Sequence, residues 1–124
     1  MRVIRKVRRK IAEAEARRRI ATLDLSCVAW KLYLKKDEDH LDWSIPFIKE
    51  VEKLYRAFLF VCWKYPREKN VPSIAMDAFW HNHVLFTEKY KKDCHYIFGY
   101  YLEHDPNFGL KPMSSKFKKQ YGAR

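Results

Sequence analysis

The stretch IPFIKEVEKLYRAFLFVCWKY, residues 45–65, decides the fold class. Its residues Ile48, Val51, Tyr55, Phe58, Cys62 and Tyr65 recur at intervals of three and four, the spacing of one face of an α-helix. Ser44 stands ahead of it as an N-cap. Pro46 fits a first turn, where backbone N–H groups have no helical partner, and Pro66 stops the pattern. The stretch predicts a helix of about twenty residues as the spine of the core.

Working outward, Leu25, Val28, Ala29 and Leu32 fall on one face of a shorter helix, with Thr22 available to cap it, and Asp37, Glu38 and Asp39 form a polar link to the spine. Downstream, PREKNVP (66–72) is a turn by composition. Ser73 then caps a helix running from Ile74 towards Leu102, weakened near Gly99, and the run Asp105, Pro106, Asn107, Phe108, Gly109 ends helical structure. No alternating Val/Ile/Thr-rich run occurs, so no sheet is predicted. The expected fold is all-α: a small single-domain bundle of about four helices. A basic amphipathic N-terminal helix (1–20), a helical body (21–110) and a basic tail (111–124), mobile by composition, divide the chain.

At 124 residues the chain suffices for one core and is too short for a two-domain enzyme. Its 48% apolar content allows that core to form. The longest apolar run, within residues 57–63, falls far short of the roughly 20 residues that cross a bilayer, and residues 11–20 alternate Ala with Glu and Arg where a secretory signal would be apolar. Cys27, Cys62 and Cys94 are odd in number and set among apolar neighbours, which suits buried thiols in a reducing compartment. The expected location is the cytoplasm, or a host cytoplasm or particle if the chain is phage-derived.

The net charge of +11 is unevenly placed. Residues 1–19 carry Arg2, Arg5, Lys6, Arg8, Arg9, Lys10, Arg17, Arg18 and Arg19 against Glu13 and Glu15, and residues 111–124 carry Lys111, Lys116, Lys118, Lys119 and Arg124 with no acid. The segment between them is near neutral. A neutral body with basic ends suits a module held on a polyanion, because each phosphate neutralised releases a counterion. RNA or DNA is the leading expected partner. Val3, Ile4, Val7, Ile11 and Ala14 give the N-terminal segment an apolar strip, which can pack on the body or another subunit, enter a nucleic-acid groove, or lie on an anionic membrane. The membrane reading is the weakest, since the strip lacks Trp and Phe.

Imidazole and thiol groups concentrate in residues 72–106 and raise the alternative of a zinc site built from Asp77, His81, His83, Cys94 and His104. On one helix His81 and His83 point about 200° apart, and His83 and Cys94 are separated by about 16 Å, so a single helix cannot gather them. Asp77 and His81 are one turn apart, close enough for a carboxylate to orient an imidazole, and His104 or His40 folding back would begin a metal or acid/base site. The structural reading is a buried His bonded to Asp at a helix contact, with Trp80 as core. Cys94 has no cation fixed beside it and reads as an inert thiol. No residue is assigned to catalysis and no cofactor is expected.

Pro72, Ser73, Asp77, Trp80, His81, His83, Thr87, Tyr90, Asp93, Cys94, Phe98, Gly99, His104 and Pro106, with Trp43, Tyr55, Arg56, Phe58 and Leu59 upstream, form a multi-point pattern over residues 23–109. It resembles the glycine-rich domain-containing protein-like family. The resemblance implies small stand-alone bacterial and phage members of unassigned activity, plant members joined to glycine-rich regions, and some members carrying RNA-recognition modules. It supplies no catalytic residues. This chain departs from the pattern in lacking a glycine-rich extension and in carrying basic ends. The expected function is a non-enzymatic nucleic-acid-binding module, standing alone or within a ribonucleoprotein or phage particle. The alternatives are a metal-binding helical domain centred on Trp80, His81 and His83, and a protein-interaction or scaffold subunit.

Overall fold

The structure, a computed structural model, describes residues 10–35, 42–104 and 112–122. Six helices and no strand occur among the described residues: α1 (Glu13–Ala21), α2 (Ser26–Leu34), α3 (Ile45–Lys64), α4 (Ile74–Leu85), α5 (Thr87–Ile97) and α6 (Ser115–Tyr121). The all-helical class holds, with two more helices than the sequence pattern predicts. None is long and apolar enough to cross a membrane.

The spine is α3. Ser44 Oγ accepts from Phe47 N at 3.2 Å, Pro46 sits in the first turn, and the helix buries Ile48, Val51, Tyr55, Phe58, Leu59, Cys62 and Trp63. Two packing faces result, and α1, α2 and α4 all lie against this helix. Burying each large apolar side chain contributes about 1.5–3 kcal/mol relative to leaving it in water. Arg56, on the flank of α3, donates to Ile20 O and Leu23 O at 2.5 and 2.9 Å while paired with Glu52 at 2.6 Å. It thereby ties the α1–α2 corner to the spine through two backbone carbonyls.

Two local expectations are corrected. Lys10, Ile11 and Ala12 are not helical, so no unbroken helix spans 1–20; among the described residues a helix starts at Glu13, where Glu13 and Glu15 in the first turn and Arg18 and Arg19 in the last complement its dipole. Residues 1–9 lie outside the described residues, as do residues 36–41, with the 37–39 link and His40, and residues 105–111, with the helix-ending run 105–109 and Pro106. Thr22 does not cap α2: its hydroxyl donates back to Arg18 O at 2.9 Å, and Asp24 accepts instead from Ser26 N at 3.0 Å. The tail contains a helix that the sequence pattern did not predict, α6, capped by Ser114 Oγ accepting from Phe117 N at 3.1 Å and closed by Gly122 in the left-handed region at φ 86°.

The single helix predicted from Ile74 to Leu102 is two. Ser73 caps α4 as expected, accepting from Met76 N at 3.2 Å, but the chain turns at Phe86 (φ −84°, ψ 73°) and restarts as α5. A straight helix would hold His83 and Asp93 about 15 Å apart; their side chains meet at 2.9 Å because the turn lays α5 back on α4. Gly99, at φ 78°, ends α5 by donating to Cys94 O and His95 O. The return packs Tyr90, Cys94 and Ile97 into the core beside Phe79 and Trp80.

Candidate functional site

The chemically dense helices α4 and α5 resolve into two separate dyads. In the interior His83, 1% exposed, has Tyr55 Oη at 2.7 Å from Nδ1 and Asp93 Oδ2 at 2.9 Å from Nε2. A carboxylate only accepts, so Nε2 carries the proton and donates to Asp93, and Nδ1 accepts from the Tyr55 hydroxyl. Lys89 Nζ lies 3.1 Å from the same Asp93 oxygen. Burial pushes the Tyr55 and Tyr90 phenols up, so both stay neutral donors. Tyr90 accepts from Trp80 Nε1 at 2.9 Å and donates to Leu102 O at 2.6 Å. The network pins α3, α4, α5 and the following segment together. With Tyr55 and His83 buried, the network positions these helices.

Nearer the surface, His104 folds back to place Nε2 2.9 Å from Asp77 Oδ1, its ring edge-on to Trp80 at 4.5 Å. His81 is exposed on the same side, its ring centre 6.0 Å from that of His104. Asp77 therefore orients His104, 27 residues away, and not its helical neighbour His81. Trp80 is core, as expected. Cys94 is buried, its sulfur accepting from Leu102 N at 3.5 Å, and burial pushes its thiol up; the Cys62 thiol is pushed up to about 12 by the same cause. The five expected zinc ligands thus divide: Asp77 and His104 meet, His81 stands beside them, His83 is bonded to Asp93, and the Cys94 sulfur accepts from Leu102 N. Among the described residues no three His, Cys, Asp or Glu side chains converge to hold a metal ion.

The basic residues also divide. On α1, Arg17 pairs with Glu13 at 3.3 Å, while Arg18 and Arg19 share Glu15 at 2.5 and 2.7 Å. These hydrogen bonds from Arg18 and Arg19 pull the Glu15 carboxyl down to about 2. Arg17 also lies over Phe60 at 3.9 Å, Arg19 donates to Tyr96 O at 2.8 Å, and Lys10 lies over Trp63 at 4.4 Å. On α6, Lys116, Lys118 and Lys119 are exposed and pair with no acid among the described residues. Arg2, Arg5, Lys6, Arg8 and Arg9 lie outside the described residues. Sequence reasoning named Arg56 but missed its pairing with Glu52, for which their i, i+4 spacing on α3 was the available signal, and the partners that the Tyr55 and Tyr90 hydroxyls required once buried.

A groove of about 290 Å³ between α3 and α4 is lined by Leu54, Ala57, Phe58, Val61, Val71 and Met76, with Asn70 as its polar member. It is separate from both dyads in its lining residues.

Comparison with known proteins overturns the resemblance to the glycine-rich domain-containing protein-like family. The profile that matches is that of the UCP032817-like family, over residues 18–124, and it takes in the whole segment, 23–109, on which the resemblance rested. No curated protein and no solved structure matches the chain. The matched region runs from the middle of α1 through α6, which is more than half the chain, and the protein belongs to the UCP032817-like family.

Proposed function

We propose that the protein is a non-enzymatic nucleic-acid-associated module that holds the phosphate backbone through its basic ends. The observation that carries this reading is the state of α6: three lysines, all exposed, on a helix that buries no residue and contains no acid. Cations that serve folding are paired, as Arg17, Arg18 and Arg19 are on α1. Cations that pair with no acid among the described residues and cluster on one short element are available to an external anion. Arg2, Arg5, Lys6, Arg8, Arg9 and Lys10 extend the same charge at the other end of the sequence. Contacts of this kind fix position on the backbone without reading sequence.

Electrophoretic mobility shift with the full chain at 50 and 200 mM salt tests the reading. About six phosphate contacts predict an affinity loss on the order of a thousandfold between the two. Affinity insensitive to salt, or no shift at either concentration, would contradict it. Deleting residues 1–19 is not a clean test, because it removes the buried Ala16 of α1 and leaves Ile20 without its helix; charge neutralisation at Lys116, Lys118 and Lys119 leaves the core intact.

One observation favours a second reading, a protein-interaction subunit. Leu54, Val61 and Val71 are exposed and line the α3–α4 groove, an apolar surface of the type that accepts another polypeptide. A stable complex insensitive to salt and nuclease would select it over the first.

A further inference from the structure

We propose that α6 is a stacking platform for single-stranded nucleic acid, an inference that rests on the phosphate-binding reading above and names the class of strand that α6 takes. Phe117 and Tyr121, one helical turn apart, lie with ring centres 5.3 Å apart and planes 11° from parallel. They are 47% and 76% exposed, so each presents ring surface to solvent. At 100° per residue, Lys118 flanks this aromatic pair on one side and Gln120 on the other, while Lys116 and Lys119 sit further round the helix. A flat π surface bordered by a cation and an amide matches an unpaired nucleotide: the base stacks on the ring, the phosphate meets the ammonium, and the amide reaches the base edge. In a duplex the base faces are already covered by their neighbours, and the aromatic pair would find nothing to stack on.

A second observation points the same way. Helices of fewer than about 12 residues are marginal in water unless packed, and α6 has seven residues and buries none of them. Its caps hold it locally, while like charges at Lys116 and Lys119, three positions apart, oppose it. A phosphate strand removes that repulsion, so binding and helix formation reinforce one another.

The test uses the full chain and a fluorescein-labelled single strand of about 12 uridines, with a duplex of the same length, read by fluorescence anisotropy. The single strand is expected to bind at least about tenfold more tightly than the duplex. Phe117→Ala and Tyr121→Ala are each expected to weaken single-strand binding about five- to tenfold, the low end for one base on one aromatic ring, without changing the salt slope. Tyr121→Phe retains the affinity. Equal affinity for duplex and single strand overturns the inference. So does unchanged single-strand binding in both alanine variants while Lys116→Gln/Lys118→Gln/Lys119→Gln still lowers the salt slope, an outcome that leaves the phosphate reading standing. If Phe117→Ala instead converts an oligomer to a monomer with no loss of binding, the aromatic pair docks on another copy and the inference fails. If neither oligonucleotide binds at either salt concentration, the phosphate reading itself falls. Because α6 buries nothing, the variants should keep the thermal transition of the parent, which calorimetry checks.

Discussion

Helices α1 and α6 are both short and both rich in cations, yet the fold uses them in opposite ways. In α1, Glu13 and Glu15 are spaced at i, i+3 and i, i+4 from Arg17, Arg18 and Arg19, so positive charge closes on the helix's own carboxylates while Ala16 and Ile20 enter the core. In α6 the lysines stand among aromatic and amide residues, the helix carries no carboxylate, and nothing is buried. The sequence count of basic residues treats the two segments alike. Pairing distinguishes them: the α1 arginines close on the helix's own carboxylates, whereas α6 is the element proposed to meet an anion.

The largest effect expected from this contrast is on stability. Ile20→Ala should cost about 2–5 kcal/mol, since it empties a core site, whereas Phe117→Ala should change stability by less than about 0.5 kcal/mol. Urea denaturation of the two variants checks this, and a large loss in Phe117→Ala would show that α6 is packed after all. The next effect concerns the two dyads. Asp93→Ala leaves the buried His83 Nε2–H without an acceptor and should cost about 1–3 kcal/mol. Asp77→Ala frees the partly exposed His104 to bond water and should cost less than about 1 kcal/mol. Equal losses would mean that the depth of the two sites does not govern their worth.

The smallest effect is a pH dependence confined to α1. Hydrogen bonds from Arg18 and Arg19 hold the Glu15 carboxyl at about 2 against an ordinary 4.5, so the stability this carboxylate contributes is fully present above pH 4.5 and is lost as pH falls through about 2. Glu15→Gln should therefore melt lower than the parent at pH 6, and the difference should close as pH is lowered towards 2. A difference that persists unchanged in acid would remove the charged pairing as its cause.

Much of this architecture was legible where the signals are local. Ser44, Pro46, the stripe from Ile48 to Cys62 and Pro66 delimit α3 without reference to any other part of the chain, and Ser73 does the same for the start of α4. The break at Phe86 was not legible, because no Gly or Pro marks it. The turn is favoured by contacts it makes possible, His83 with Asp93 and Trp80 with Tyr90, which join residues ten positions apart. The pairing of Asp77 failed to follow helical spacing for the same reason, its partner arriving from outside the helix. At the C-terminus the signals existed and were outweighed: Ser114 and Gly122 bracket a capped helix, but lysine content without a buried stripe reads as a loose tail. The resemblance to another family rested on scattered identities, whereas the UCP032817-like match extends through α6.

The salt dependence of binding, compared between the two helices, tests the central claim. For the full chain on a single-stranded oligonucleotide, Lys116→Gln/Lys118→Gln/Lys119→Gln should reduce the slope of log affinity against log salt by about 2, at about 0.7 for each phosphate no longer neutralised. Arg17→Gln/Arg18→Gln should leave that slope unchanged. A slope that stays at the parent value in the lysine variant, or falls only in the arginine variant, would contradict the assignment of α6 as the anion-facing element.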